Sequence, residues 1–331
     1  MVRVVPRLNT PLLLRAGSTG DAVRDVQRRL AALGYELAPD TPGVYGKGTE
    51  TAVFLFQQRR GLREDGICGP QTWGSLVEAG YQLGDRLLYL HQPMLRGDDV
   101  AAVQGDLGAL GFDAGRVDGI FGPLTAAALM SFQRNAGITT DGICGPDTIA
   151  ELRRVLRSGS GTTVAHVREA ETMRARQGVA GRRLAVGETG GLAALADAVG
   201  RALSEDGAVV AVLHHPDESV QASEANSFAA EAFLGLALLD APPSRVAFYG
   251  VGDFVSVGGQ RLAHLVVEEL GGVDIGALPP PTGMRLPILR ETRMPAVLCE
   301  LGTPATVVER SGELVSALCR ACSRWGSEPL E

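Results

Sequence analysis

The sequence predicts a multidomain protein, with two small all-α domains of three helices each followed by an α/β domain. Three observations carry this expectation. A block of the first half recurs almost residue for residue, and after Val155 the composition shifts to Arg157-Ser158-Gly159-Ser160-Gly161-Thr162-Thr163, the make-up of a flexible hinge. From Arg183 onward, short apolar runs alternate with helical periodicity. The boundaries read as 10–80 and 85–157 for the helical domains, 158–180 for a linker and 181–327 for the α/β domain.

The repeat is explicit. Gly20-Asp21-Ala22-Val23-Arg24-Asp25-Val26-Gln27 returns as Gly97-Asp98-Asp99-Val100-Ala101-Ala102-Val103-Gln104, and Leu33-Gly34-Tyr35 as Leu110-Gly111-Phe112. Phe56-Gln57 returns as Phe132-Gln133, and Asp65-Gly66-Ile67-Cys68-Gly69-Pro70 as Asp141-Gly142-Ile143-Cys144-Gly145-Pro146. The offset is 77 residues early in the unit and 76 late, so one residue is lost between Tyr35 and Tyr45.

Each copy reads as three helices. Asp21 or Asp98 can cap the first, whose apolar face is Val23, Val26, Leu30 and Leu33 in one copy and Val100, Val103, Leu107 and Leu110 in the other. Gly34 and Gly111 stop it. The turn Val117-Asp118-Gly119-Ile120-Phe121-Gly122 leads into a second helix started by Thr125, with Ala128, Leu129 and Phe132 inward. The Asp-Gly-Ile-Cys-Gly-Pro turn then opens a short third helix through Trp73 and Leu76, or Ile149 and Leu152.

In the α/β half the expected strands are 184–186, 208–213, 233–238, 246–250 and 295–300. Helices are expected up to Leu203, near Ala222 to Ala232, over Gln260 to Leu270 and at the end of the chain. Such alternation implies a sheet covered on both faces. The alternating charges of His166 to Arg176 read as a solvated linker helix.

Composition narrows the function classes. Of 331 residues, 45% are hydrophobic, enough for more than one core, and the formal charge of −7 argues against nucleic acid as a partner. The opening stretch has the three-residue apolar run Leu12 to Leu14, closed by Arg15, which is not the core of a secretory signal. No run approaches the ~18 apolar residues of a membrane helix, so the expected location is cytoplasmic. The five cysteines, Cys68, Cys144, Cys299, Cys319 and Cys322, fit reduced thiols, and the Cys319/Cys322 pair reads as two core residues one helical turn apart.

The duplicated unit resembles the three-helix peptidoglycan-binding domain, and the match covers both copies almost end to end. That resemblance implies ligand binding centred on the second copy, with Asp118 and Phe121 as candidate contacts. In the first copy Pro42 stands where Asp118 does in the second, removing a carboxylate and a backbone donor from the turn. Asp118 can brace its own backbone or face a polar ligand. The alternative for both copies is a protein-docking surface in which Phe56 and Phe132 are core.

The α/β half resembles the zinc-dependent N-acetylmuramoyl-L-alanine amidases of the amidase-3 family. The residues that carry the resemblance are Ala225-Asn226, the run Leu286-Pro287-Ile288-Leu289-Arg290-Glu291-Thr292-Arg293 leading into Met294-Pro295-Ala296-Val297-Leu298, and Glu300-Leu301-Gly302. It implies zinc held by two histidines and a glutamate, with a further glutamate as general base, and Glu300 falls on that last position. The turn where the first histidine belongs is Gly187-Glu188-Thr189-Gly190-Gly191; the nearest match to the glutamate ligand is Leu192, and ungapped counting from Ala225-Asn226 puts Ala237 at the second histidine. Gly, Leu and Ala give zinc no donor, and without a Lewis acid a glutamate does not make hydroxide at neutral pH. The expectation is a domain lacking its zinc ligands, with no cofactor and with Glu300 an inactive vestige or a polar cap on the strand end.

A rebuilt metal site is the alternative, with zinc as its cofactor. His214-His215-Pro216-Asp217-Glu218 follows the second strand; adjacent histidines point to opposite faces, and Glu188, His215 and Glu300 can converge at the C-terminal edge of the sheet. The Gly187–Gly191 turn is neither GxGxxG nor a lysine-bearing phosphate loop. Two binding modules joined to a ligand-stripped amidase fold resemble the actinobacterial CwlM-type proteins. This implies a non-catalytic cytoplasmic regulator or scaffold of peptidoglycan precursor synthesis, a pseudoenzyme of cell wall biogenesis. Its implied partners are peptidoglycan fragments or precursors and proteins of precursor synthesis or export. The rival is a working amidase that hydrolyses peptidoglycan.

Overall fold

A computed structural model describes residues 13–156, 178–239, 243–251 and 254–327. Residues 158–177 of the expected linker, with its helix over 166–176, lie outside the described residues. The chain divides into two compact units, residues 1–161 and 162–331, and each is described by itself.

The first unit holds both copies of the repeat: α1 (Asp21–Ala32), α2 (Lys47–Arg60) and α3 (Pro70–Glu78), then α4 (Asp98–Ala109), α5 (Pro123–Ala136) and α6 (Pro146–Leu156). The 3.6-residue periodicity buries Val23, Val26 and Leu30 on α1 and Val100, Val103 and Leu107 on α4, each in the core of its own copy. Gly34 and Gly111 follow these helices at φ of +85° and +89°, left-handed geometry that a glycine adopts without strain. Pro70, Pro123 and Pro146 take the first helical position, where a missing N–H costs nothing.

Two expectations about helix starts are corrected. Gly20 and Gly97, not Asp21 and Asp98, are the N-cap residues, and neither helix has a side-chain cap. Asp21 pairs with Arg24 one turn on, while Asp98 accepts two hydrogen bonds from Arg60 of the first copy at 2.8 and 2.6 Å, tying the copies together. Thr125 lies inside α5, buried, because Pro123 begins that helix.

What holds the turns is a set of buried glutamines. Gln104 donates to Asp118 Oδ1 at 2.9 Å, to the Ile120 carbonyl at 3.0 Å and to Thr125 Oγ1 at 3.1 Å, and its Oε1 accepts the Asp118 and Gly119 N–H groups. Gln57 does the same for Asp65, Gly66, Ile67 and Thr72, and Gln133 for Asp141, Gly142, Ile143 and Thr148. In the Pro42 turn, Gln27 bonds the Thr41 and Val44 carbonyls and Thr49, and accepts the Gly43 N–H. The proline supplies no donor there. Asp40 makes good the missing carboxylate by accepting the Gly46, Gly48 and Thr49 N–H groups at the start of α2.

The second unit is a seven-stranded mixed sheet in the order β2-β1-β3-β7-β4-β5, with β6 also on β4. Its strands are β1 (Arg183–Glu188), β2 (Val209–His214), β3 (Ala232–Leu238), β4 (Arg245–Val251), β5 (Phe254–Val255), β6 (Thr282–Met284) and β7 (Ala296–Leu301). Strands β2, β1, β3 and β7 run parallel, whereas β4 is antiparallel to β7. The helices are α7 (Ala193–Glu205), α8 (Glu218–Ser227), α9 (Val257–Leu270), α10 (Pro287–Glu291), α11 (Pro304–Glu309) and α12 (Ser311–Ser327).

One face of the sheet packs Val186, Leu234, Leu236, Cys299 and Phe248 against α7, α9 and α12, with Cys319 and Cys322 as unbridged core residues. The other face carries α8 and α10. Asn226 joins these two helices, its amide donating to the Glu291 carbonyl and accepting the Arg293 N–H, each at 2.8 Å. The two short strands β5 and β6 were not anticipated, since two or three residues carry no periodicity to read.

Replacing Gln104 by Ala should cost about 2–3 kcal/mol, because the N–H groups of a buried turn lose their acceptor. The urea transition of the first unit reads this; a cost below about 1 kcal/mol would mean the turn holds itself.

Candidate functional site

The C-terminal ends of β1, β2, β3 and β7 bring the candidate residues to one edge of the second unit. Register decides which of them meet. Glu188 lies level with His214 of β2 and Leu236 of β3, while Glu300 lies level with Ala237 of β3 and Arg245 of β4. Leu236 in turn lies level with Cys299, one residue before Glu300. Side chains alternate across a pleated sheet, so Glu188 and Glu300 go to opposite faces.

On the α7 face, the buried Glu188 carboxylate accepts the Gly190 N–H at 2.8 Å and the Leu192 N–H at 3.1 Å on Oε2. Its Oε1 faces His214 Nδ1 at 3.3 Å, and His214 Nε2 faces Asp197 Oδ1 at 3.2 Å. The carboxylate thus closes the turn before α7, where the helix dipole favours negative charge. Beneath it Gln221 donates to the Glu188 carbonyl at 2.8 Å and to the His215 carbonyl at 2.6 Å. Gly187 is required there, since a Cβ would run into the Gln221 amide and the Phe233 ring.

The expected convergence of Glu188, His215 and Glu300 is therefore corrected. The histidine beside Glu188 is His214. His215 Nδ1 accepts the Asp217 N–H at 3.0 Å, inside its own turn. Glu300, expected as an inactive vestige or a polar cap on the strand end, is completely buried, and its Oε2 accepts a hydrogen bond from Arg245 Nε. Arg245 was missed because its only sequence signal is a charge opening a strand, and its closeness to Glu300 exists only through the antiparallel β4–β7 pairing.

The implied zinc ligands can now be placed. Ala237, at the position counted for the second histidine, is the register neighbour of Glu300, and Leu192, at the position counted for the glutamate, is buried with its N–H bound to Glu188. Neither side chain is a donor, and the Glu300 carboxylate is engaged by a guanidinium. Among the described residues no three His, Cys, Asp or Glu side chains group as a metal site. This donor set does not fit a zinc ion.

In the first unit, Asp118 Oδ1 accepts the Ile120 N–H at 2.8 Å besides the Gln104 amide, so its bracing role is realised. Phe121, expected as a ligand contact, has no exposed surface and belongs to the core of the second copy; its counterpart Tyr45 is buried in the same way. In the matching Asp141 turn, the Ile143 N–H and then the Gln133 amide hold the carboxyl below the usual range. That brace persists above the ordinary carboxylate pKa and is lost as the pH falls through the lowered one.

Residues 19–76 and 96–152 each match the family model described as a putative peptidoglycan binding domain. The chain is 33% identical to the N-acetylmuramoyl-L-alanine amidase CwlM of Mycobacterium tuberculosis, over 95% of this chain and 87% of that protein. It is 34% identical to the N-acetylmuramoyl-L-alanine amidase CwlL of Bacillus licheniformis over 45% of this chain, and spans about half, 47%, of that relative. Among solved structures, the N-acetylmuramoyl-L-alanine amidase AmiC2 of Nostoc punctiforme aligns with a TM-score of 0.37 at 18% identity, over 44% of this chain and 98% of that one. No helix among the described residues is long and apolar enough to cross a membrane.

Arg245→Ala should destabilise the second unit by about 3 kcal/mol by leaving the Glu300 carboxylate buried without its cation. Combining it with Glu300→Gln should recover most of that loss. Additive costs in thermal unfolding of the two single variants and the double variant would mean that the two side chains are not coupled.

Proposed function

The chain belongs to the family of the N-acetylmuramoyl-L-alanine amidase CwlM, and from that premise we propose that it is a non-catalytic regulator or scaffold of peptidoglycan precursor synthesis. The observation that carries this reading is the Arg245–Glu300 pair beside Ala237. A general base must be free to take a proton from a water molecule within reach. The Glu300 carboxylate is instead buried against a fixed positive charge, and its β3 neighbour is a methyl group. In this proposal the protein uses no metal and no other cofactor. The tandem helical unit recognises peptidoglycan fragments or precursors, and the amidase-like unit serves as a surface for proteins of precursor synthesis or export.

We place it in the cytoplasm. The five thiols, all buried and unbridged, accord with a reducing compartment. Binding is assigned mainly to the second copy of the repeat, in which the Asp118 turn is complete, with Asp118 acting through the turn it braces. The second reading, a zinc amidase with a rebuilt centre, draws on the names of the relatives and on His214 standing between Glu188 and Asp197.

An assay for release of stem peptide from purified peptidoglycan separates the two. The expected result is no release, with or without added zinc, and retained complementation of a deletion strain by Glu300→Gln. Release abolished by Glu300→Gln, or a zinc equivalent lost on changing His214 to Ala, would establish the enzyme instead.

A further inference from the structure

A groove of about 430 Å³ opens beside α6, within the size range of small-ligand sites. Its wall on one side is the segment that enters the second copy, with Leu83, Arg86 and Leu87; on the other it is α6, with Pro146, Ile149 and Arg153. Ile149 is buried at its floor, and Leu87, 52% exposed, forms a lip over the Gly145 turn. Arg86 is rigid: Nε and Nη2 donate to the buried Asp99 carboxylate at 2.7 and 3.0 Å, Nη2 also reaches the Arg96 carbonyl, and the guanidinium stacks 3.7 Å from the Tyr81 ring centre. Its charge is therefore already matched.

Arg153 differs. Its guanidinium donates to the Leu83 carbonyl at 3.4 Å; its charge is felt by the partly buried Asp106, but among the described residues it forms no direct ion pair with a carboxylate. Asp85, the acidic residue of the lining, accepts the Gln82 N–H at 2.8 Å in its own turn. The groove thus combines an apolar floor with one cation that no carboxylate among the described residues contacts directly.

The first copy does not present this arrangement. Trp73 stands at the position of Ile149 with Arg29 stacked 5.0 Å over its ring, and Val77 at that of Arg153. Asp106 occupies the position of Arg29, so the charge at that place on the first helix of each copy is reversed.

We propose that this groove holds the peptide stem of a peptidoglycan fragment, Arg153 receiving a free carboxylate of the stem while Leu87 and Ile149 receive its apolar side chains. The assignment rests on the reading of the tandem unit as a peptidoglycan binder and moves the contact from the Asp118 turn to the face of α6. A guanidinium matches a carboxylate in shape and charge, and an uncharged sugar has no counterpart for it.

The test is calorimetric titration of the full chain with an N-acetylmuramoyl-tripeptide, with the same compound amidated at its carboxylates, and with a peptide-free N-acetylglucosamine oligomer. The wild-type chain should bind the tripeptide compound and not the sugar oligomer. Arg153→Gln should weaken binding about tenfold or more, the size of effect expected from losing one charge-assisted hydrogen bond. Amidation should have the same effect on the wild type and little further effect on that variant. Ala150→Trp, at an exposed position of the lining, should block the groove, and unchanged unfolding temperatures would separate blocking from misfolding. Tripeptide binding that both variants leave intact overturns the groove alone. A wild-type chain that binds neither compound overturns the groove and the peptidoglycan reading together.

Discussion

A carboxylate with no contact with water stays ionised only where cations or hydrogen-bond donors match it, and the β7–β4 pairing meets that constraint at Glu300 with Arg245. Because β4 runs antiparallel to β7, its first residue, Arg245, lies level with the second-to-last residue of β7. A parallel β4 would carry Arg245 to the other end of the sheet, away from Glu300. The topology of the central strands and the chemistry of the edge are thus one problem with one solution. The same register sets Ala237 beside Glu300, so the position where a metal ligand is implied carries no donor side chain, and the neighbouring carboxylate is engaged by a guanidinium.

Pleat parity separates the rest of the edge into two unconnected halves. Glu188 and His214 share the α7 face, where a carboxylate that can still accept hydrogen bonds is turned onto backbone N–H groups and an imidazole. Glu300 points to the α8 and α10 face. No rotamer change brings the two together, since moving a residue across a sheet requires shifting a strand by one position in its ladder.

In the first unit the same demand for satisfied polar groups is met by amides. Turns with a left-handed glycine leave several N–H and C=O groups facing inward, and a glutamine side chain offers donor and acceptor from a single rigid plane. Four such glutamines, Gln27, Gln57, Gln104 and Gln133, brace four turns. The Pro42 turn shows how tolerant the device is: a backbone carbonyl replaces the aspartate as one acceptor, and Asp40 takes over the start of the next helix.

The amino-acid sequence by itself determined the duplicated helical unit, the alternation of strands and helices, and that Leu192 and Ala237 carry no donor side chain. Those are local properties: a helical period, a glycine at a turn and a side chain without a lone pair read the same in any fold. The glutamines were visible as repeated residues, yet their bracing role was not, because their partners lie eight or more residues away. Which histidine meets Glu188, why Phe121 is core and not contact, and that Arg245 neutralises Glu300 were decided by tertiary structure alone. Each depends on strand order, ladder register or packing between elements distant along the chain. A one-residue offset between neighbouring strands, invisible in a linear pattern, settles whether two side chains face each other or stand on opposite sides of the sheet.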